Sequence, residues 1–195
     1  MEVLLSVFLG IGLAAAAGLR IFVPLLIASL AALSGHLTLS SGFAWLANPV
    51  AAAAFGIATV LELAAYKIPW LDNLLDVLGA PVAVTAGTVL AASTMGGMSP
   101  SVRWTLALIA GGGAAGLVHG ATALTRKASS LTTGGLANPV LATAEAGGAV
   151  ALSALSIVLP ILGLLLFASV ILVALLIRRR WRARRAAAAQ PPRPS

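Results

Sequence analysis

The chain contains no cysteine and only two histidines, His36 and His119. Disulfides, thiolate metal sites and cysteine nucleophiles are thereby excluded, and the two isolated imidazoles lack any metal-ligand spacing. Charge is scarce too: 9% of the 195 residues are charged, five acidic residues against twelve lysines and arginines. No Ser-His-Asp set, phosphate-cradling glycine loop or zinc motif stands at a recognisable spacing, so no enzyme activity and no cofactor are expected. What the sequence has in abundance is apolar surface, with 60% hydrophobic residues and a mean hydropathy of +1.06. So little polar surface cannot cover a water-soluble globule, and the chain reads as an all-α integral membrane protein.

The net charge of +7 comes mostly from the tail, where Arg178, Arg179, Arg180, Arg182, Arg184, Arg185 and Arg193 follow the last apolar run. A basic cluster directly after a spanning helix reads as a cytoplasmic anchor in contact with anionic lipid, not as a nucleic-acid arm. Residues 178–195 are therefore taken as a disordered cytoplasmic tail on a single transmembrane domain, 1–177. The start has the apolar stretch of a signal peptide but carries Glu2 where a basic residue belongs, so it is read as retained.

One pentapeptide occurs twice, Leu-Ala-Asn-Pro-Val at Leu46 to Val50 and at Leu136 to Val140. Asn is a good helix N-cap and Pro fits the first turn, so two helices are expected to begin alike, at Asn48 and Asn138. Val3 to Leu33 is apolar except for Arg20; as one straight helix it would reach about 46 Å, beyond a hydrocarbon core of about 30 Å. A break is expected between Gly18 and Pro24. The remaining runs are about Asn48 to Ile68, Val77 to Thr94, Arg103 to Thr125, Asn138 to Val158 and Ile161 to Ile177. Val3 to Leu33 either crosses once as a broken helix or forms two short segments; with one broken crossing, the runs give six crossings with both termini inside and the His36 loop outside. Arg103 is the exception to an otherwise consistent positive-inside pattern. In this arrangement the two Asn-Pro helices run in opposite directions, and residues 1–94 and 100–177 form inverted three-helix repeats, an architecture used by transporters and channels. Gly10 and Gly12 against Gly111 and Gly113 are read as matching positions. The glycine run Gly111, Gly112, Gly113, Gly116 and Gly120 is expected to lie against another helix.

Several stretches together resemble a known family: Gly18-Leu19-Arg20-Ile21-Phe22-Val23-Pro24-Leu25-Leu26; Glu62 with Tyr66-Lys67-Ile68-Pro69-Trp70-Leu71-Asp72-Asn73, Asp76 and Pro81; and Thr133-Gly134-Gly135-Leu136-Ala137-Asn138-Pro139-Val140 with Glu145. The chain is similar over nearly its whole length, up to the tail, to the bacterial membrane family called domain of unknown function 4126. The resemblance implies a polytopic protein of the bacterial cytoplasmic membrane and no particular activity. It also implies an acidic residue after Glu145, where this chain has Ala146.

Ionisable side chains inside a span face the bundle interior or a wet cavity, which makes Arg20, Glu62 and Glu145 the candidate transport-site residues, together with the helix-start residues Asn48 and Asn138. In inverted helices Glu62 and Glu145 fall at one depth in the inner leaflet, where two carboxylates share a proton or hold a cation. Lys67, Asp72 and Asp76 extend this into an inner vestibule, and Arg20 lies in the outer half. The blander alternatives are a Glu62–Lys67 surface pair, a structural Glu145, and an Arg20 that ties down the kink through backbone carbonyls. The functional expectation is a small transporter or channel for an ion or small polar solute; the alternative is a structural or lipid-interacting membrane protein. Homodimerisation is expected for a protein of this size.

Overall fold

Glu2–Leu19 forms a helix, α1, and Phe22–Leu33 a second, α2, with only Arg20 and Ile21 between them. The computed structural model describes residues 2–65, 69–165, 167–169, 172 and 179, with the backbone alone for 69–77. The break has a local cause. The Arg20 N–H still donates to the Ala16 carbonyl at 3.1 Å, so α1 holds to its last turn. Pro24 lies in the first turn of α2, where its missing N–H has no helical partner to lose.

The break is a reversal between two short helices and not a kink in a single crossing. A continuous helix would place Leu33 about 40 Å from Ser6. Instead, Thr94 Oγ1 donates to the Ser6 carbonyl at 3.3 Å, and the Ser40 N–H donates to the neighbouring Ser93 carbonyl at 2.7 Å. The N–H groups of His36 and Leu37 both donate to the Ala31 carbonyl, at 2.8 and 3.1 Å, folding the loop onto the end of α2. The few residues from Leu37 to Ser40 reach roughly 10 Å. The helix α2 therefore returns to the end where α1 began, and the N-terminus shares that end with the His36 loop.

The later helices shuttle between this first end and a second end marked by Arg20 and Ile21. A 3-10 turn, Ala44–Ala47, leads into α3 (Pro49–Ala65), which runs antiparallel to α2. Ser29 Oγ donates to the Leu46 carbonyl at 2.5 Å near the first end, and Glu62 meets Ile21 and Phe22 at the second. Next, α4 (Pro69–Thr94) runs back to the first end. α5 (Pro100–Leu106), a π-helical segment Ala107–Gly112 and α6 (Gly113–Thr133) follow one another without a break. Gly134 ends α6 in the left-handed conformation with φ 62°, and α7 (Asn138–Val158) returns. Residues 160–165 begin a further helix, with Gly163 against Ser156. Among the described residues the fold is entirely helical. Three stretches are long and apolar enough to cross a membrane: Glu2–Leu19, Pro100–Thr133 and Asn138–Val158. Those helices, and the outward-facing Val50, Ile57, Val60, Leu61, Ile109, Leu117, Val140 and Val158, mark a membrane protein.

The two Asn-Pro starts differ. At the first, Asn48 caps α3, its Oδ1 accepting from the Val50 N–H at 2.8 Å. At the second, Asn138 is the first residue of the helix, not its cap, and its Nδ2 donates to Ser130 Oγ at 3.1 Å. The tight Gly134-Gly135 turn sets that difference, because it delivers Ala137 already in a helical conformation, with φ −84° and ψ −10°.

The helix α1 is the core, with Leu13 to Ala17 fully buried against α4, α6 and α7. Small residues permit this. A Cβ on Gly87 would lie 2.5 Å from Ala115 Cβ and 3.1 Å from the Gly111 carbonyl oxygen, so α1, α4 and the π-helical segment leading into α6 meet at Ala14, Gly87 and Gly111. Ala14 faces Gly111, and Gly18 faces Ala115 and Val118, so α1 and α6 run in the same direction. Gly10 and Gly12 therefore do not correspond to Gly111 and Gly113 under an inversion. The glycine run is divided: Gly111, Gly112 and Gly116 face α4, whereas a Cβ on Gly113 or Gly120 would meet nothing within 4 Å. Replacing Gly111 or Gly87 by Leu is expected to abolish recovery of folded, detergent-extracted protein on size exclusion, while Gly113→Leu and Gly120→Leu leave it unchanged; equal recovery of all four would contradict the packing.

Candidate functional site

Among the described side chains, four ionisable groups converge where α1 gives way to α2. The first is Glu62, 7% exposed, near the end of α3. Its Oε1 accepts from the Ile21 N–H at 2.8 Å and its Oε2 from the Phe22 N–H at 3.1 Å. These are N–H groups that a starting helix leaves without partners, and a carboxylate there also meets the positive end of the helix dipole. Glu62 thus supplies from another helix the cap that Ile21 cannot provide.

Arg20 and Glu145 form the second part. Arg20, 1% exposed, extends Nη2 to the Ala142 carbonyl at 2.8 Å and to Glu145 Oε2 at 3.2 Å. Arg126 of α6, 3% exposed, donates from Nε to Glu145 Oε1 at 3.1 Å and from Nη2 to Glu145 Oε2. One carboxylate therefore bridges two guanidiniums that come from different helices. Guanidinium stays protonated under all ordinary conditions and grips a carboxylate with parallel donors, so this contact is held in a fixed geometry. Arg20, Glu62, Arg126 and Glu145 carry two charges of each sign, and the arrangement ties α1, α2, α3, α6 and α7 together at one level.

Arg20, placed by a single crossing in the half nearer the His36 loop, sits instead at the level of both glutamates, because the chain reverses at that residue. It does bind a backbone carbonyl, though one on α7. Sequence reasoning missed Arg126 by treating it as a loop residue. The signal was present: Arg126 and Glu145 lie at similar distances along the chain from the Gly134-Gly135 turn, which in an antiparallel helix pair sets them side by side. Asn48 and Asn138 start their helices at opposite ends of the bundle and are not part of this cluster. Lys67, and with it any Glu62–Lys67 pair, lies outside the described residues; Asp72 and Asp76 belong to α4, with side chains outside the description. Among the described residues no three His, Asp or Glu side chains gather as a metal site.

An all-helical bundle with apolar outer faces and an interior cluster of paired charges defines a membrane protein of the class that carries ionisable groups at depth. The chain belongs to the family described as Domain of unknown function (DUF4126), whose model matches residues 7–180. No curated protein and no solved structure matches it.

Glu145 is shared by Arg20 and Arg126, so removing it and removing one arginine have unequal effects. Glu145→Leu removes the carboxylate that Arg20 and Arg126 share and is expected to destabilise the detergent-solubilised protein by roughly 3 to 5 kcal/mol. Arg126→Met leaves Glu145 paired with Arg20 and costs less. Unfolding midpoints in the reverse order would show that the bridge is not the dominant contact.

Proposed function

We propose that this chain is a small integral membrane transporter or channel for an ion or small polar solute, working through the cluster of Arg20, Glu62, Arg126 and Glu145. The observation that carries the reading is the position of Glu62: a buried carboxylate on the N–H groups of the helix start at which the chain reverses. Short helices that begin inside the bundle, with ionisable partners at their N-termini, recur at the substrate sites of secondary transporters. Ion pairs formed between helices, and not within one, also suit a moving part, since a solute ion that competes for either partner weakens the tie between two rigid elements.

The membrane arrangement belongs to the same proposal. With the arginine-rich tail in the cytoplasm, the second end of the bundle, which holds Arg126 and the four-charge cluster, faces inward in the bacterial cytoplasmic membrane. The N-terminus and the His36 loop then face outward. The duplicated unit becomes α2, α3 and α4 against α6, α7 and the helix that begins at Pro160, with α1 as the central helix between them. A lipid-interacting scaffold is the second reading, favoured by one observation: Glu62 and Glu145 are each already engaged on both oxygens by protein groups.

Flux decides between these readings. Proteoliposomes of the full chain, assayed with a panel of monovalent cations, anions and small neutral solutes, are expected to show flux of at least one above empty vesicles. Glu62→Gln and Glu145→Gln are expected to reduce that flux at least tenfold per folded protein. No flux for any solute, or flux unchanged in both variants while their stability falls, would favour the scaffold.

A further inference from the structure

Arg103 is a buried cation away from the four-charge cluster. It lies in α5 at the first end of the bundle, where the positive-inside pattern does not account for a basic residue. It is 9% exposed, its guanidinium carbon lies 5.6 Å from the centre of the Phe43 ring, and its buried Nε has no hydrogen-bond partner among the described residues. No carboxylate of the described side chains pairs with it. Glu62 and Glu145 are committed at the opposite end. Asp76 precedes Ser93 by about 26 Å along α4, and Ser93 is the residue that meets the Arg103 end through Ser40. A buried guanidinium with no carboxylate partner among the described side chains carries a desolvation cost of several kcal/mol in order of magnitude, which one ring at that distance does not offset.

The surroundings indicate where the missing anion comes from. Trp104, 45% exposed, stacks at a tilt on Phe43 with ring centres 5.8 Å apart, and Trp45, 50% exposed, lies 6.3 Å from Phe55. Half-exposed tryptophans at one end of an apolar bundle mark the headgroup level, where phosphate oxygens are the abundant anions. Guanidinium is the side chain best shaped to hold a phosphate, through planar paired donors. We infer that Arg103, against Phe43 and beside Trp104, is a phosphate-binding site that holds the headgroup of a phospholipid in the leaflet at the His36-loop face. This site lies at the opposite end of the bundle from the four-charge cluster and does not depend on transport activity. It gives Arg103 a function in place of its standing as a topological exception.

The test uses the purified full chain after delipidation in a neutral detergent, with thermal unfolding as the readout. Three additions are compared: a short-chain phosphatidylglycerol, the matching diacylglycerol without phosphate, and inorganic phosphate. The expected result is a rise in unfolding temperature with phosphatidylglycerol alone, lost in Arg103→Gln and reduced in Arg103→Lys, which keeps the charge without the planar fork. Stabilisation by inorganic phosphate that depends equally on Arg103 would keep the phosphate site but assign it to a soluble anion. An equal rise with diacylglycerol, an equal rise in Arg103→Gln, or no rise with either phosphate would overturn the inference. Should Arg103→Gln fail to fold, wild type and Arg103→Lys compared across the three additions distinguish the same outcomes.

Discussion

Two backbone N–H groups, those of Ile21 and Phe22, determine the form of this protein. A helix that stops at Leu19 and restarts at Phe22 inside an apolar bundle exposes donors that neither lipid nor neighbouring alkyl groups can satisfy, and each such donor costs a few kcal/mol if left alone. Glu62 satisfies both at once. Because the break is so short, the reversal of the chain, the seating of α3 along α2 and the burial of Arg20 follow from the same contact. Once Arg20 is buried there it requires an acid, and Glu145 meets that need while also holding Arg126. The charged cluster is thus a sequence of mutual obligations that begins with two unsatisfied amides.

Packing makes the cluster possible by bringing the helices close. Alanines on α1 and glycines on α4 and α6 let backbones approach to contact distance, where lipid gives no hydrophobic reason for helices to associate. Large apolar side chains such as Ile57, Leu61 and Ile109 face outward. Small residues line the close contacts at Ala14, Gly87 and Gly111, and Leu13, Leu46, Leu90 and Met95 fill the core beside them.

Much of this was legible in the sequence. The all-helical class followed from composition, the second Asn-Pro helix was bounded at Asn138 and Val158 by its Asn-Pro start and by Pro160, and the break fell between Gly18 and Pro24. The direction of the chain after the break was not legible. Gly18 and Pro24 say that a helix is interrupted, but a kink and a reversal use the same residues, and only the Ser40–Ser93 and Ser6–Thr94 bonds distinguish them. The site was half legible for the same reason. Buried charge singles out Arg20, Glu62 and Glu145 by their apolar neighbours in sequence, whereas Arg126 sits among polar residues and is buried only because α6 extends past the apolar run. Backbone donors as the partners of Glu62 carry no sequence signal, since every residue but proline has one.

The reversal at Arg20 is the claim on which the rest stands, and the absence of native cysteine makes it open to direct measurement. Spin labels introduced through Leu4→Cys and Leu33→Cys, both at exposed positions, report the separation of the outer ends of α1 and α2 by double electron resonance in nanodiscs. A chain that turns back puts them within roughly 30 Å. A single crossing, straight or gently kinked, puts them about 44 Å apart, and a distance near that value would contradict the account.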